Sequence, residues 1–135
     1  MLKVLVVEDE PYVRRGIVLS VDWTALDCFV VGEAANGEEG YDAALKFQPN
    51  IIITDIRMPK MDGIEMLKRL REAGCKSEVI ILTAYSDFEY AQNALHYGAA
   101  DYLLKPFHDG ELEQVIVSIH SRLCLLYTSD AADDK

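Results

Sequence analysis

The sequence is short of cysteine and of long apolar runs. Its three cysteines, Cys28, Cys75 and Cys124, form no closely spaced pair, and their odd number does not fit a disulfide framework. A reducing compartment is therefore expected, and we predict a cytoplasmic protein. No segment approaches the roughly 20 consecutive apolar residues of a membrane-spanning helix, so no association with a membrane is expected.

Positive charge is scarce as well, since 13 lysines and arginines stand against 23 aspartates and glutamates and the net charge is −10. This balance disfavours direct binding of these residues to nucleic acid. Half of the 135 residues are apolar, which excludes a disordered chain and allows one domain with a substantial core. We place that domain at residues 1–123. Residues 124–135 are interpreted as a non-globular tail, either a linker or a sequence foreign to the natural protein.

Five short apolar runs alternate with five segments of helical periodicity. The predicted strands are 2–7, 29–34, 50–54, 78–82 and 100–104. A helix is predicted after each strand, and the last one carries an apolar stripe of Leu112, Val115, Ile116, Ile119 and Leu123. Strands that recur about every 25 residues between helices indicate right-handed βαβ units. The predicted fold class is therefore α/β, a doubly wound five-stranded parallel sheet with five helices.

Capping signals and apolar spacing place the helices more closely. The first is predicted to run from Pro11 to about Ser20 and to bury Val13, Ile17 and Val18. The next three are expected to begin at a capping residue that is followed by glutamate three positions later. These pairs are Asn36 with Glu39, Asp62 with Glu65, and Ser86 with Glu89.

Four of the predicted strands end in polar side chains. They are Glu8 and Asp9 after the first strand, Asp55 after the third, Thr83 after the fourth and Lys105 after the fifth. The carboxyl ends of parallel strands lie at one edge of a sheet, and ligands bind outside that edge. We therefore expect these five side chains to share one cleft.

These residue types suit one kind of chemistry. Three neighbouring carboxylates repel one another, and a hard divalent cation such as Mg²⁺ relieves that repulsion. Thr83 brings a hydroxyl and Lys105 a cation, which are suited to hold the oxygens of a phosphoryl group. A carboxylate nucleophile, a magnesium ion and a cationic partner are the parts needed to transfer a phosphoryl group to an aspartate.

A resemblance to a known family rests on four motifs, Glu8-Asp9, Asp55-Ile56-Arg57-Met58-Pro59, Thr83-Ala84 and Lys105-Pro106. In this order and spacing they resemble the receiver domain of two-component response regulators, over residues 2–122. The resemblance implies the strand order 2-1-3-4-5 and a cis peptide bond before Pro106. It also implies that Asp55 accepts a phosphoryl group from a sensor histidine kinase in a reaction that requires Mg²⁺.

The resemblance further implies a role for each residue of the cleft. The implied metal ligands are Asp9 and Asp55 directly, Glu8 through a water molecule, and Arg57 through its backbone carbonyl. The implied phosphoryl contacts are Thr83, the backbone N–H of Ala84, and Lys105.

By the same resemblance, phosphorylation is sensed by Thr83 and by the aromatic Tyr102 on the fifth strand. The hydroxyl of Thr83 moves toward the new charge and Tyr102 turns inward, which alters the face formed by the fourth helix, the fifth strand and the last helix. Homodimerisation through that face is expected on phosphorylation. The long connection at Val21-Asp22-Trp23 resembles receivers fused to AraC-type domains. Control of transcription is therefore expected, with DNA bound only through a C-terminal domain that this chain lacks.

Two other functions compete with this interpretation. A Mg²⁺-dependent phosphatase could use Asp55 as its nucleophile, but Arg57 stands where such an enzyme needs a second aspartate as acid and base. A phosphorylation-independent domain that only binds partners would not need the full set of polar strand ends. We therefore predict a signalling domain and not an enzyme.

Overall fold

Five parallel strands form one sheet in the computed structural model, which describes residues 1–108 and 110–133 except for the side chains of residues 85 and 126–133. The strands are β1 (Leu2–Val7), β2 (Cys28–Ala34), β3 (Ile51–Asp55), β4 (Glu78–Ala84) and β5 (Asp101–Lys105). Their order in the sheet is β2-β1-β3-β4-β5. Every neighbouring pair is parallel. The predicted fold class and strand order are confirmed.

The helices are α1 (Pro11–Ser20), α2 (Gly37–Phe47), α3 (Gly63–Glu72), α4 (Phe88–His96) and α5 (Glu111–Asp133). Short 3-10 turns lie at Thr24–Leu26 and Tyr85–Asp87. Two predicted caps are confirmed, since the side chains of Asn36 and Asp62 each accept a hydrogen bond from the N–H three residues later.

Two separate cores lie on the two faces of the sheet, because successive side chains of a strand point to opposite faces. On one face, Leu5 and Val7 of β1 pack with residues of α2, α3 and α4. On the other face, Val4 and Val6 pack with residues of α1 and α5. The predicted apolar stripe of α5 belongs to this second core, in which Leu112, Ile116 and Ile119 are buried. Both faces are thus covered, and the carboxyl edge of the sheet remains accessible at Asp9 and Asp55.

Two local predictions about the helices are wrong. Val13 is 40% exposed, because it lies in the first turn of α1 along an open cleft that it shares with Pro106 and Phe107. Ser86 does not cap α4, because the 3-10 turn shifts the start of the helix by one residue and makes Asp87 the N-terminal cap residue. Ile17 of α1 is buried as expected.

The last helix continues past residue 123, the predicted end of the domain. Its backbone is helical to Asp133, so the segment predicted as a non-globular tail is an extension of α5 over residues 124–133. The domain boundary at residue 123 stays a prediction. No helix in the described residues has the length and apolar character needed to cross a bilayer.

Candidate functional site

The carboxyl edge of the sheet gathers the predicted polar side chains. β3 ends at Asp55 and β5 at Lys105, and Glu8 and Asp9 follow the last residue of β1. Thr83 lies near the end of β4. The parallel register places these strand ends side by side, as the sequence predicts.

An acidic cluster stands at the centre of this edge. Oxygen atoms from Glu8, Asp9 and Asp55 all lie within 4.8 Å of one another. The side chain of Glu8 is only 1% exposed and that of Asp55 is 16% exposed. The set consists of oxygen donors alone, and the partial exposure of Asp9 and Asp55 leaves water access, so it fits a hard divalent cation that retains part of its hydration shell.

Lys105 supplies the positive charge of the cluster. Its Nζ lies 3.1 Å from Oε1 of Glu8 and 3.0 Å from Oδ2 of Asp55. Burial lowers the pKa of the Lys105 ammonium, but hydrogen bonds and charge from the two carboxylates outweigh burial and leave that pKa raised above its ordinary value. Lys105 is therefore a firmly charged partner of both acids.

Glu8 is the most perturbed acid of the cluster. Burial, followed by hydrogen bonding and the negative charge of Asp55, raises the pKa of Glu8 from 4.5 to about 7, although Lys105 acts in the opposite direction. The folded protein therefore holds a proton on Glu8 more tightly than the unfolded chain does. As a result, the stability that this proton contributes is lost as the pH rises from about 4.5 to about 7.

Replacing Glu8 by glutamine is expected to stabilise the metal-free protein at pH 8, by about 1–3 kcal/mol, because glutamine carries no charge into the buried cluster. At pH 5 wild-type Glu8 is itself mostly protonated, and the difference is expected to shrink. Urea denaturation in the presence of a chelator at both pH values measures this. A variant that is less stable than wild type at pH 8 would contradict the prediction.

The backbone around Asp55 fixes the direction of its carboxylate. Oδ1 accepts a hydrogen bond of 2.8 Å from the N–H of Ile56, while Oδ2 faces Lys105. The carbonyl of Ile56 accepts a bond of 2.8 Å from the N–H of Gly63, the first residue of α3. A Cβ on Gly63 would lie 2.2 Å from the carbonyl oxygen of Asp55, so only glycine fits here. The start of α3 thus supports the loop that presents Asp55.

Thr83 and Ala84 lie at the same edge, at the end of β4. The hydroxyl of Thr83 is buried and donates to the carbonyl of Ala84 at 3.1 Å. Ala84 is exposed, and β-sheet pairing sets it beside Lys105. The bond between Lys105 and Pro106 is cis, as the resemblance implies.

Tyr102 lies three residues before the carboxyl end of β5, where it pairs with Ile81 of β4. It is partly buried against the core below α4. Its ring meets that of Phe88, the first residue of α4, edge to face with 5.4 Å between centroids. The predicted aromatic position is therefore in direct contact with the helix expected to move.

The side chain of Arg57 makes a contact that the sequence does not predict. The family resemblance implies a role only for its backbone carbonyl, yet its guanidinium reaches the start of α4 and donates to Asp87. The same guanidinium lies over the ring of Tyr90, whose hydroxyl donates to Asp62. No sequence signal pairs Arg57 with a residue 30 positions away, because this contact exists only once β3 and β4 are neighbours.

Comparisons with known proteins agree with one another. The family model for the response regulator receiver domain matches residues 4–117. Among curated proteins, the transcriptional regulatory protein YesN of Bacillus subtilis, itself uncharacterized, is 35% identical over 135 residues, which is 100% of this chain and 36% of YesN. The transcriptional regulatory protein HptR of Staphylococcus aureus is 34% identical over 116 residues, which is 86% of this chain and 45% of HptR. The chain thus spans less than half the length of these relatives.

Solved structures of response regulators also superpose on this chain. The receiver domain of AraT, a response regulator from Geobacillus stearothermophilus, superposes with a TM-score of 0.87 and 36% identity, covering 93% of this chain and 98% of that one. A two-component transcriptional regulator, AraC, from Clostridium phytofermentans superposes with a TM-score of 0.81 and 33% identity, covering 90% of this chain and 94% of that one.

Proposed function

The chain belongs to the family of response regulator receiver domains, and from this premise we propose that Asp55 is its phosphorylated residue. One observation carries the proposal. The carboxylate of Asp55 ends β3, with Lys105 Nζ at 3.0 Å and oxygens of Glu8 and Asp9 within 4.8 Å. Asp55 is also partly exposed at 16%, so a donor can reach it.

The reaction is an in-line displacement at phosphorus. An oxygen of Asp55 attacks the phosphorus of the donor's phosphohistidine, the phosphorus–nitrogen bond breaks, and the imidazole leaves with the electron pair. The product is an acyl phosphate on Asp55. Lys105 stays beside it and pairs with a phosphoryl oxygen in place of the carboxylate oxygen that it now contacts.

Asp9 and Asp55 would hold Mg²⁺ directly, with Glu8 acting through water and Arg57 through its backbone carbonyl. When bound, this ion neutralises negative charge on the phosphoryl oxygens. The residues of the chain do the rest. The N–H of Ile56 fixes the carboxylate of Asp55, and Lys105 offsets the charge of the cluster.

The signal would leave the site through Thr83 and Tyr102. In the unmodified protein the Thr83 hydroxyl donates to the carbonyl of Ala84, and on phosphorylation it turns to the phosphoryl group. The Ala84 N–H contacts the same group. Tyr102, which contacts Phe88 at the start of α4, then takes up the vacated space. The output face of α4, β5 and α5 changes as a result. Leu95 of α4 and Val117 of α5 are nearly half exposed, which suits homodimerisation of the phosphorylated form.

Receiver domains are regulatory phospho-acceptors, and Arg57 argues against a true phosphatase in this chain. A guanidinium stays protonated at any physiological pH, so the residue two positions after Asp55 cannot act as general acid and base. The phosphoryl donor is proposed to be a sensor histidine kinase. Because relatives more than twice as long are named transcriptional regulators, DNA is proposed to be bound by a further domain and not by this acidic one.

The test is the intact mass of the protein after incubation with acetyl phosphate, with Mg²⁺ and with a chelator. We expect the mass of one phosphoryl group to be added with Mg²⁺ and none with the chelator. Beryllofluoride binding provides a second readout that does not depend on the lifetime of the acyl phosphate. Absence of both the adduct and beryllofluoride binding in the wild-type protein would refute the proposal.

A further inference from the structure

The side chain of Arg57 links the candidate phosphorylation site to the start of α4. Its Nε and Nη2 lie 3.1 Å and 2.9 Å from Oδ1 of Asp87. Its guanidinium carbon stands 5.0 Å from the centre of the Tyr90 ring. The side chain of Asp87 is only 14% exposed, whereas that of Arg57 is 65% exposed. Arg57 is therefore the accessible member of the pair, and it is only two residues from Asp55.

The carboxylate of Asp87 is engaged by Arg57 and does not cap α4. Asp87 is the N-terminal cap residue of α4, but its side chain makes no capping hydrogen bond. Asn36 and Asp62 cap α2 and α3 from an extended backbone, whereas the backbone of Asp87 has φ −104° and ψ 13°. An aspartate at this position normally accepts from the N–H groups of the first turn. In α4 the carboxylate instead faces Arg57.

The two ends of α4 are held by different kinds of contact. At its carboxyl end, Arg71 donates to the backbone carbonyls of Tyr97 and Gly98, both at 3.1 Å. At its amino end the contacts are between side chains, namely the Arg57–Asp87 pair and the hydroxyl of Tyr90, which donates to Asp62 at 2.8 Å. Among the described contacts, those at the amino end include the charged side chain of Arg57, which is two residues from Asp55 in the chain.

We propose that the Arg57–Asp87 ion pair is a latch that holds the first turn of α4 in the unmodified protein and opens when Asp55 is phosphorylated. This inference rests on the proposed function and names the device that connects its site to α4. A phosphoryl group carries about −1.5 to −2 charges and offers several oxygens, and guanidinium binds phosphate in a bidentate manner. The phosphoryl group therefore competes with the single charge of Asp87 for Arg57.

Amide hydrogen exchange in the unmodified protein tests the closed latch. In Arg57→Gln and in Asp87→Asn, we expect the amides of residues 91–93 to exchange about two- to fivefold faster, since exposed ion pairs contribute modestly. The double variant should exchange no faster than Arg57→Gln, because both changes remove the same interaction. Arg69→Gln is the matched control, because it breaks a similar pair with Glu65 on α3. Wild-type exchange in both single variants would overturn the proposal.

Beryllofluoride with Mg²⁺ tests the opening of the latch. By linkage, Asp87→Asn is expected to bind beryllofluoride about two- to fivefold more tightly than wild type, because no latch has to open. The effect of Asp87→Asn on exchange at residues 91–93 should disappear in the bound form. Equal affinities, with the exchange difference persisting when bound, would refute the opening step. Failure of the wild-type protein to bind beryllofluoride at all would refute the proposed function, and the exchange comparison would still decide whether the pair holds α4.

Discussion

Replacing Asp55 by asparagine is expected to abolish the phosphoryl adduct formed with acetyl phosphate and Mg²⁺. Asparagine keeps the shape of the side chain and an oxygen that can accept from the N–H of Ile56. It lacks the anionic oxygen that attacks phosphorus, and it removes one carboxylate from the proposed metal ligands. Intact mass spectrometry measures the result directly.

Asp101→Asn is the matched control for this experiment. The Oδ1 atom of Asp101 accepts from the N–H of the next residue at 2.8 Å, as that of Asp55 does. Asp101, however, begins β5, so it lies at the opposite edge of the sheet from the acidic cluster. We expect Asp101→Asn to take up one phosphoryl group like the wild type. A full adduct in Asp55→Asn would show that another residue is the acceptor.

Replacing Gly63 by alanine is expected to destabilise the fold by about 3 kcal/mol or more. The added Cβ would lie 2.2 Å from the carbonyl oxygen of Asp55 and 3.3 Å from the Cα of Ile56. Both neighbours are backbone atoms of the chain leaving β3, so neither can move aside as a flexible side chain would. Any relaxation must shift either the start of α3 or the loop that carries Asp55. Urea denaturation measures the loss of stability. The folded fraction of the variant is expected to take up less phosphoryl group than the wild type.

Gly16→Ala provides the control for the same chemical change. Gly16 lies inside α1, and a Cβ there would meet no atom within 4 Å. Alanine favours a helix interior over glycine by about 0.5–1 kcal/mol, so this variant is expected to be more stable than wild type. The two glycine substitutions should thus change the stability of the protein in opposite directions. A Gly63→Ala protein with wild-type stability would show that the backbone at the end of β3 yields readily.

The residues of the site could be predicted from the sequence because their placement follows from local signals. Each strand is an apolar run, and its polar end is read directly beside it, as for Asp55 and Lys105. The parallel arrangement then brings all those ends to one edge without further information. The caps at Asn36 and Asp62 were predictable for the same reason, since a capping residue bonds an N–H only three positions away.

The sequence could not reveal contacts between groups that are far apart in the chain. The sequence predicts Ser86 as the cap of α4, but the start of that helix depends on a 3-10 turn and on the bond between Asp87 and Arg57. Val13 has the spacing of a buried residue, yet it is exposed and lines an open cleft with Pro106 and Phe107, which follow β5. Both outcomes depend on contacts between segments far apart in the chain.

Apolar periodicity and short-range capping by themselves determined the order of the elements, the parallel sheet and the list of polar strand ends. Only the tertiary structure decided that Glu8 is the buried acid, that Lys105 bridges it to Asp55, and that the Thr83 hydroxyl donates to the carbonyl of Ala84. The physical reason is that burial and charge pairing depend on the atoms that surround a group in space. Those atoms come from strands as much as 97 residues apart, as for Glu8 and Lys105.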